Sequence, residues 1–191
     1  MAPKLVLGSA SPRRLDLLAQ IGIKPHEVAP ADIDETPLHQ ELPRVYATRM
    51  ATGKSAALKD LHAGSYILTA DTVVAVGRRI LPKAETEQDA RACLRLLSGR
   101  RHQVYGGVSL ILPDGRALDR VVVSDVKVKQ LHPSEVDTYI NTQDWQGKAG
   151  GYAIQGFFAQ HIVWMSGSYS NIVGLDLNKT AGLLFGNGFH A

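Results

Sequence analysis

Apolar and polar positions along the chain follow strand and helix periodicities in turn, which predicts an α/β protein. An apolar run at residues 5–7 leads into a helical pattern that has Ser11 at the N-cap position, Pro12 at the first helical position and Gly22 just past its end. Helices are also predicted over residues 43–61 and after a capping-box pattern at Thr86, ending before Gly99. Residues 66–76 form a near-continuous apolar run, the pattern of a strand buried on both faces.

The second half of the chain is richer in strand signals. Strands are predicted over residues 103–112, 121–131 and 160–165, with a Pro-Asp-Gly turn after the first of them. Helices are predicted over residues 134–142 and 175–184, and glycines are dense over residues 147–156. Because no repeat, linker or low-complexity segment interrupts the pattern, we expect residues 1–191 to form one α/β domain with a mixed sheet flanked by helices.

Composition narrows the classes of protein that fit. Contents of 45% hydrophobic and 20% charged residues are ordinary for a soluble globular protein. The net charge of +3 fits a small anionic ligand and is too weakly basic to indicate a nucleic-acid surface. The single cysteine, Cys93, excludes an internal disulfide, and its helical spacing with Ala90, Leu94 and Leu97 predicts a buried thiol. The sequence shows neither a signal peptide nor a membrane-spanning run, so we expect a cytoplasmic protein.

Two cations stand in the first turn of the first predicted helix. Arg13 and Arg14 lie where the helix dipole disfavours positive charge, which indicates that an anion binds there. The free backbone N–H groups of the turn and the hydroxyls of Ser9 and Ser11 would complete a phosphate site. The alternative interpretation is that both arginines are solvated or paired with acidic residues elsewhere.

Acidic and basic residues at element ends are the next candidates. Asp71 interrupts the apolar strand, so its carboxylate is expected to meet cations or a metal and could accept a proton from water; a turn or capping aspartate is the alternative. Glu35, in a loop of acidic residues, is a second candidate oxygen ligand, although most loop acids are solvated. Lys83, in a loop between a strand and a helix, is suited to contacting a phosphate.

Two further segments carry candidate chemistry. The glycine-rich stretch lets backbone approach a ligand closely and includes Gln155, whose amide could recognise a donor and an acceptor on a base. Gly53-Lys54-Ser55 is similar to the end of a phosphate-binding P-loop, but Thr48 replaces the required glycine and the tripeptide lies inside a helical pattern, so we exclude a P-loop. Arg49 and Lys54 on that helix could face a ligand or solvent.

Together these segments resemble the Maf family of nucleoside triphosphate pyrophosphatases over nearly the whole chain. The pieces that carry the resemblance are Ser-Ala-Ser-Pro-Arg-Arg at 9–14, Asp-Glu-Thr-Pro at 34–37, the helix with Arg49 and Lys54, Ala-Asp-Thr at 70–72, Lys83, Leu-Ser-Gly at 97–99 with His102, Gly-Lys-Ala-Gly at 147–150, Tyr-Ala-Ile-Gln-Gly at 152–156 and residues 167–175.

The resemblance implies two lobes around a nucleotide-binding cleft and metal-dependent hydrolysis of a nucleoside triphosphate to the monophosphate and pyrophosphate, as nucleotide-pool house-cleaning. Asp71 matches the family's general base, and Glu35 with Asp71 matches its site for a divalent cation, Mg²⁺ or Mn²⁺. A homodimer is also implied, and the weak net charge and the lack of a membrane-spanning run predict that neither nucleic acid nor membrane is a partner. The positions that match the phosphate surroundings are Ser9, Arg13, Arg14, Lys54 and Lys83.

Within the family the chain resembles the branch that acts on dTTP and UTP. Thr72 and Gln155 match that branch, and Arg13, Thr72 and Gln155 are the expected specificity residues. The alternatives are the same chemistry on modified pyrimidine triphosphates or 7-methyl-GTP, and a nucleotide-binding regulator of cell division without catalysis. Three positions depart from the family pattern: Gly106 replaces a threonine that could face the ligand, and Ala84 and Asp176 replace prolines.

Overall fold

A seven-stranded mixed sheet forms the centre of the protein, which we describe over residues 3–190 from a computed structural model. The strands of this sheet run in the order β2 (Glu27–Val28), β1 (Leu5–Leu7), β3 (Tyr66–Val76), β6 (Arg101–Ile111), β7 (Ala117–Val128) and β9 (Ile162–Ser166), with β4 (Arg79–Leu81) paired to the outer part of β3. Strands β2, β1 and β3 are parallel, and the other pairings are antiparallel. Two short strands, β5 (Lys83–Ala84) and β8 (Lys148–Ala149), form a separate antiparallel ribbon.

Helices cover both faces of the sheet. Helix α2 (Pro43–Leu58) packs on one face, where Ala47, Met50 and Val73 form a small apolar cluster. The larger core lies on the other face and receives apolar residues from the five remaining helices. The helices are α1 (Pro12–Gln20), α2 (Pro43–Leu58), α3 (Glu87–Leu97), α4 (Pro133–Thr142), α5 (Tyr169–Val173) and α6 (Leu177–Phe185), with a 3₁₀ helix at Phe157–His161. Among residues 3–190, no helix is both long and apolar enough to cross a membrane.

Strand β3 is apolar along most of its length because both of its faces are buried. Its odd-numbered side chains face α2, so Thr69 donates a hydrogen bond to the carbonyl of Ala51 at 2.7 Å, and Asp71 lies on the same face. Gly107 stands opposite Asp71 in the β3–β6 ladder, and a Cβ there would lie 2.1 Å from the carbonyl oxygen of Ala47. The absence of a side chain at this position therefore lets α2 pack directly on the sheet beside Asp71.

The predicted class and order of the elements are confirmed, with boundaries moved by a few residues. Lys83, predicted in a loop, instead lies in β5, because the glycine-rich stretch supplies β8 as its partner. The helix predicted near residues 175–184 begins slightly later, at Leu177. Helix α5 ends at Val173 and is followed by Gly174, which has φ of 152°; α6 begins after Asp176, whose side chain accepts a hydrogen bond from the N–H of Lys179 at 2.6 Å.

Cys93 lies in the larger core with 2% of its surface exposed. Burial raises the pKa of its thiol to about 11, so the thiolate is negligible at neutral pH. The prediction of a buried core thiol is confirmed.

Candidate active site

One open cleft of about 810 Å³ brings all nine residues predicted for the site together. Its walls are the turn between β1 and α1, the loop with Glu35, the middle of β3, the β5–β8 ribbon and the segment around Gln155. The predicted residues on this cleft are Ser9, Arg13, Arg14, Glu35, Lys54, Asp71, Thr72, Lys83 and Gln155. The set is drawn from segments up to about 150 positions apart, so the fold assembles what is scattered along the sequence.

The floor of the cleft is a buried ion pair extended by a second carboxylate. The ammonium of Lys54 lies 2.7 Å from Oδ1 of Asp71 and 2.6 Å from Oε1 of Glu35. The other oxygen of Glu35 bonds the ammonium of Lys83. Asp71 and Lys54 are only 4% and 7% exposed, and pairing offsets the cost of burying each charge. The expectation that Asp71 meets a cation is confirmed.

Glu35 is held in its ionised form by its two lysine partners. Partial burial by itself would raise the pKa of this carboxyl, but the hydrogen bonds from Lys54 and Lys83 outweigh it and keep the pKa below its ordinary value. The Glu35 carboxylate is therefore charged at neutral pH, next to the ammonium groups of Lys54 and Lys83. Glu35 is not the solvated loop acid that the alternative interpretation described.

Arg14 is fixed by backbone and hydroxyl groups. Its Nε donates to the carbonyl of Gly174 at 2.9 Å, its Nη1 donates to Oγ of Ser9 at 2.8 Å, and its Nη2 lies 3.4 Å from Oγ1 of Thr72. Burial lowers its pKa, and the charge of Asp71 opposes that effect. Among residues 3–190 no carboxylate lies within ion-pairing distance of Arg14, so its charge remains available to a ligand in the cleft.

Helix α1 begins where the sequence predicted, but Ser11 does not make the expected capping hydrogen bond. Ser11 is the N-cap residue and Pro12 follows it, but the Ser11 side chain makes no capping bond. Ser9 instead accepts from the backbone N–H of Ser11 at 3.2 Å. Burial lowers the pKa of the Arg13 guanidinium, which makes no ion pair with any residue between 3 and 190. Neither arginine is thus paired with an acid, which favours the anion-binding interpretation over the alternative.

The glycine-rich stretch forms the opposite wall of the cleft. The N–H of Gly147 donates to the carbonyl of Ala84 and the N–H of Gly150 donates to that of Pro82, at 2.8 and 3.0 Å. These bonds fasten the stretch to the strand that carries Lys83. Gln155 lies beyond the ribbon with its side chain exposed on the cleft, free to contact a bound molecule.

Sequence reasoning missed several groups on the cleft. The carbonyl of Gly174 accepts hydrogen bonds from both Arg14 and Thr72, and a backbone acceptor leaves no side-chain pattern to find. Asp144 also lines the cleft and accepts from the N–H of Phe157 at 3.1 Å. The polar residues Gln143, Asp144 and Gln146 shortly before the glycines are the signal that could have pointed to Asp144.

Three further candidates from the sequence do not form a ligand site of their own. Gly53-Lys54-Ser55 is inside α2, as the exclusion of a P-loop required. Arg49 does not reach the cleft, because its guanidinium pairs with Glu41 at 2.7 Å. Gly106 does not line the cleft either: a Cβ there would lie 1.9 Å from Oδ1 of Asn171 on α5. A side chain at residue 106 would therefore point towards α5 and not into the cleft.

Comparison with known proteins places the chain in a family. The model of the family described as "Maf-like protein" matches residues 4–186. A dTTP/UTP pyrophosphatase of Paramagnetospirillum magneticum is 58% identical over 185 residues, which cover 97% of this chain and 97% of that protein. The dTTP/UTP pyrophosphatases of Caulobacter vibrioides (56% over 187 residues, 98% and 97%) and Rhodospirillum rubrum (54% over 185 residues, 97% and 88%) are similar to a comparable degree.

Among solved structures, a HAM1 protein from Coxiella burnetii is 14% identical, with a TM-score of 0.48 over 94% of this chain and 90% of that one. The family match spans almost the entire chain, and the three relatives exceed half identity over nearly full length. The chain belongs to the Maf family.

Proposed function

We propose that this protein is a nucleoside triphosphate pyrophosphatase that hydrolyses dTTP and UTP to the monophosphate and pyrophosphate. The observation that carries the proposal is the convergence of four cations, Arg13, Arg14, Lys54 and Lys83, around the buried Asp71 in one cleft. Relatives more than half identical bear the name dTTP/UTP pyrophosphatase, which supports the substrate class. Such an activity removes these nucleotides from the triphosphate pool.

The chemistry proposed is in-line attack of water on the α-phosphorus. Asp71 accepts a proton from the water, a bond forms between the water oxygen and the α-phosphorus, and the bond from that phosphorus to the oxygen bridging to the β-phosphorus breaks. The electron pair of the broken bond leaves with pyrophosphate. Arg13, Arg14 and Lys83 stabilise its charge by donating hydrogen bonds, and Ser9 and Lys54 help to position the phosphates. No covalent nucleophile is needed.

The charges of the cleft fit a substrate that arrives with a divalent cation. Five cationic side chains line the cleft, the four named above and Lys148, together with three acidic ones, Glu35, Asp71 and Asp144, which gives a net charge of +2. A triphosphate carries about four negative charges at neutral pH, with roughly two on the terminal phosphate. About two of those charges are left for a divalent ion to neutralise.

The donor groups present fit Mg²⁺ or Mn²⁺. Residues 3–190 contain no cluster of three acidic, histidine or cysteine side chains arranged for a metal, but Glu35 and Asp71 bond the same ammonium and are therefore close together. Mg²⁺ is commonly held by one or two carboxylates together with substrate phosphates. When bound there, the ion would supply charge neutralisation to the phosphoryl oxygens.

Base selection is proposed to depend on Arg13, Thr72 and Gln155. Gln155 is exposed on the cleft and offers both a donor and an acceptor. The hydroxyl of Thr72 donates to the Gly174 carbonyl at 3.3 Å, next to Arg14. We therefore assign Thr72 an indirect effect, through the position of the arginine, and Gln155 a direct one.

The experiment that tests the proposal is a triphosphate panel with separate detection of pyrophosphate and phosphate. We expect pyrophosphate from dTTP and UTP with Mg²⁺ or Mn²⁺, a much lower kcat/KM for purine triphosphates, and no turnover after chelation of the metal. Preference for 7-methyl-GTP would contradict the base assignment. Tight nucleotide binding without pyrophosphate release would favour a regulatory role instead.

The assembly and location of the protein remain predictions. We propose a cytoplasmic enzyme, because free nucleotides are the substrate, and a homodimer that requires no nucleic acid or membrane. The concentration of positive charge in one cleft, against a net charge of only +3 for the chain, supports a small anion as partner over a nucleic acid. Light scattering after size-exclusion chromatography tests the dimer.

A further inference from the structure

The loop that carries Glu35 is fastened to helix α2 by two side chains outside the main cleft. The hydroxyl of Tyr46 donates to the backbone carbonyl of Glu35 itself at 2.7 Å. Three residues further along α2, Nη2 of Arg49 donates to the carbonyl of Thr36 at 3.0 Å. Two consecutive carbonyls of the loop are therefore bonded to one helix.

Arg49 is itself held from two directions. Its Nε and Nη2 bond the two carboxylate oxygens of Glu41 at 2.8 and 2.7 Å, a bidentate geometry that fixes the guanidinium plane. The guanidinium also lies over the ring of Tyr46, with 5.4 Å between its carbon and the ring centroid. Glu41 in turn accepts a hydrogen bond from the N–H of Leu38 at 2.9 Å. These contacts close the segment from residue 35 to residue 41 onto α2.

The fastened backbone determines where the Glu35 carboxylate can lie. The Glu35 side chain is 34% exposed and contacts Lys54 and Lys83 through different oxygens. A shift of the Glu35 backbone would therefore move the carboxylate away from both lysines. We propose that Tyr46 and Arg49 are positioning residues that set the Glu35 carboxylate between Lys54 and Lys83, an inference that rests on the pyrophosphatase activity proposed above.

Both residues act on the reaction through Glu35. Neither lines the main cleft that is proposed to hold the triphosphate. Tyr46 lies in an adjoining recess of about 270 Å³, which shares Glu35, Asp71 and Lys83 with that cleft. Misplacement of a catalytic constellation by about 1 Å from a distant change can reduce turnover by roughly 100-fold, so weakening either contact is expected to be measurable.

Tyr46→Phe is the first variant, because it removes the hydroxyl and keeps the ring. The matched control is Tyr66→Phe, since the Tyr66 hydroxyl also donates to a backbone carbonyl, that of Asn187 at 2.9 Å, away from the cleft. We expect kcat for dTTP to fall by about tenfold in Tyr46→Phe, the rate equivalent of one hydrogen bond, and to change by less than about twofold in the control.

Arg49→Ala is the second variant, and Arg101→Ala is its control. Arg101 has the same chemistry in another place: it bonds Asp125 through Nε and Nη2 at 3.1 and 2.8 Å and lies 5.1 Å over the ring of Trp164. Both variants therefore remove an arginine that bonds a carboxylate and lies over an aromatic ring. We expect kcat to fall by about tenfold only in Arg49→Ala.

A double-mutant cycle with Glu35→Gln separates positioning from general destabilisation. If Tyr46 and Arg49 act through Glu35, their substitutions cause no further loss of kcat in the Glu35→Gln background. Amide hydrogen exchange supplies a readout independent of activity: exchange over residues 35–41 is expected to be faster in Tyr46→Phe and unchanged in Tyr66→Phe.

The outcomes discriminate between the two proposals. Equal losses in each variant and its control, or losses that persist undiminished in Glu35→Gln, would overturn the positioning role while the wild-type activity stands. Absence of pyrophosphate release from the wild-type chain would overturn the proposed function instead. In that case exchange over residues 35–41 still decides whether Tyr46 holds the loop, with unchanged exchange counting against it.

Discussion

Replacement of Asp71 by asparagine separates the chemistry of the site from its architecture. Asparagine has nearly the same volume as aspartate but is neutral and cannot accept the proton of the attacking water. General base catalysis contributes about 10²–10⁴-fold, so we expect kcat for dTTP to fall by at least about 100-fold. Nucleotide binding should persist, because the cations around the phosphates remain.

The stability of this variant can be worked from the contacts of Lys54. Loss of the Asp71 charge turns the 2.7 Å ion pair between two buried groups into a hydrogen bond from the Lys54 ammonium to a neutral amide oxygen, and Lys54 keeps Glu35 at 2.6 Å. The cost is therefore no more than that of a hydrogen bond to a charged group, about 1.5–3 kcal/mol, and is below the cost of leaving a buried ion without a partner. At about 2–4 °C per kcal/mol for a chain of this size, Tm should fall by no more than about 3–12 °C.

The assay is pyrophosphate release at saturating dTTP, with Tm from calorimetry and nucleotide affinity from titration on the same samples. Asp125→Asn is the control, since Asp125 also pairs with a cation, Arg101, but lies outside the cleft. It should lose stability by less and keep its turnover. Turnover of Asp71→Asn close to that of the wild type, with the fold intact, would refute Asp71 as the base.

Three further predictions concern stability. Burial lowers the pKa of His102 to about 4, so the folded state binds the imidazole proton less readily than the unfolded state does. The free energy of unfolding should therefore drop by about 3 kcal/mol as pH falls from 6.5 to 4. His102→Gln, which can still pair with Tyr152, should flatten this pH dependence in denaturant unfolding, and an unchanged dependence would contradict the assignment to His102. Gly106→Ala should lower the free energy of unfolding by about 1–3 kcal/mol because its methyl group would collide with Asn171, while kcat is retained. A loss of kcat without a loss of stability would indicate instead that residue 106 contacts the ligand. Asp176→Ala should cost about 1 kcal/mol by removing the cap of α6, measured as a shift in Tm, and Asp176→Asn should restore most of it.

The sequence was sufficient to find residues whose type conflicts with their surroundings. Asp71 is conspicuous as a carboxylate within an apolar strand, and Arg13 with Arg14 as cations at the wrong end of a helix. Such conflicts are local, and the structure resolves them by placing all three on one cleft. Strand β3 was predicted with its observed boundaries because an apolar run is a local feature that can be recognised without knowing the strand's partners.

Partners that come from distant segments could not be predicted. Arg49 and Lys54 stand five residues apart on the same helix, and nothing local distinguishes them. Lys54 points to Glu35 and Asp71, whereas Arg49 is drawn to Glu41 because the loop before α2 folds back along it. The side each cation faces is set by the path of that loop, a tertiary feature without a periodicity of its own.

The contacts inside the cleft also determine how its cations can act. Lys54 and Lys83 are held by Glu35, and Arg14 is held by the Gly174 carbonyl, so these three charges are in place before any anion enters. Donors fixed in this way need no reorganisation when charge develops in a transition state, which suits them to the reacting phosphates. Arg13 has neither a hydrogen bond nor an ion pair from its side chain within residues 3–190, so its guanidinium is free to follow the bound molecule. For the proposed activity, three rigid cations and one adaptable cation suit a site that performs the same bond cleavage on more than one nucleotide.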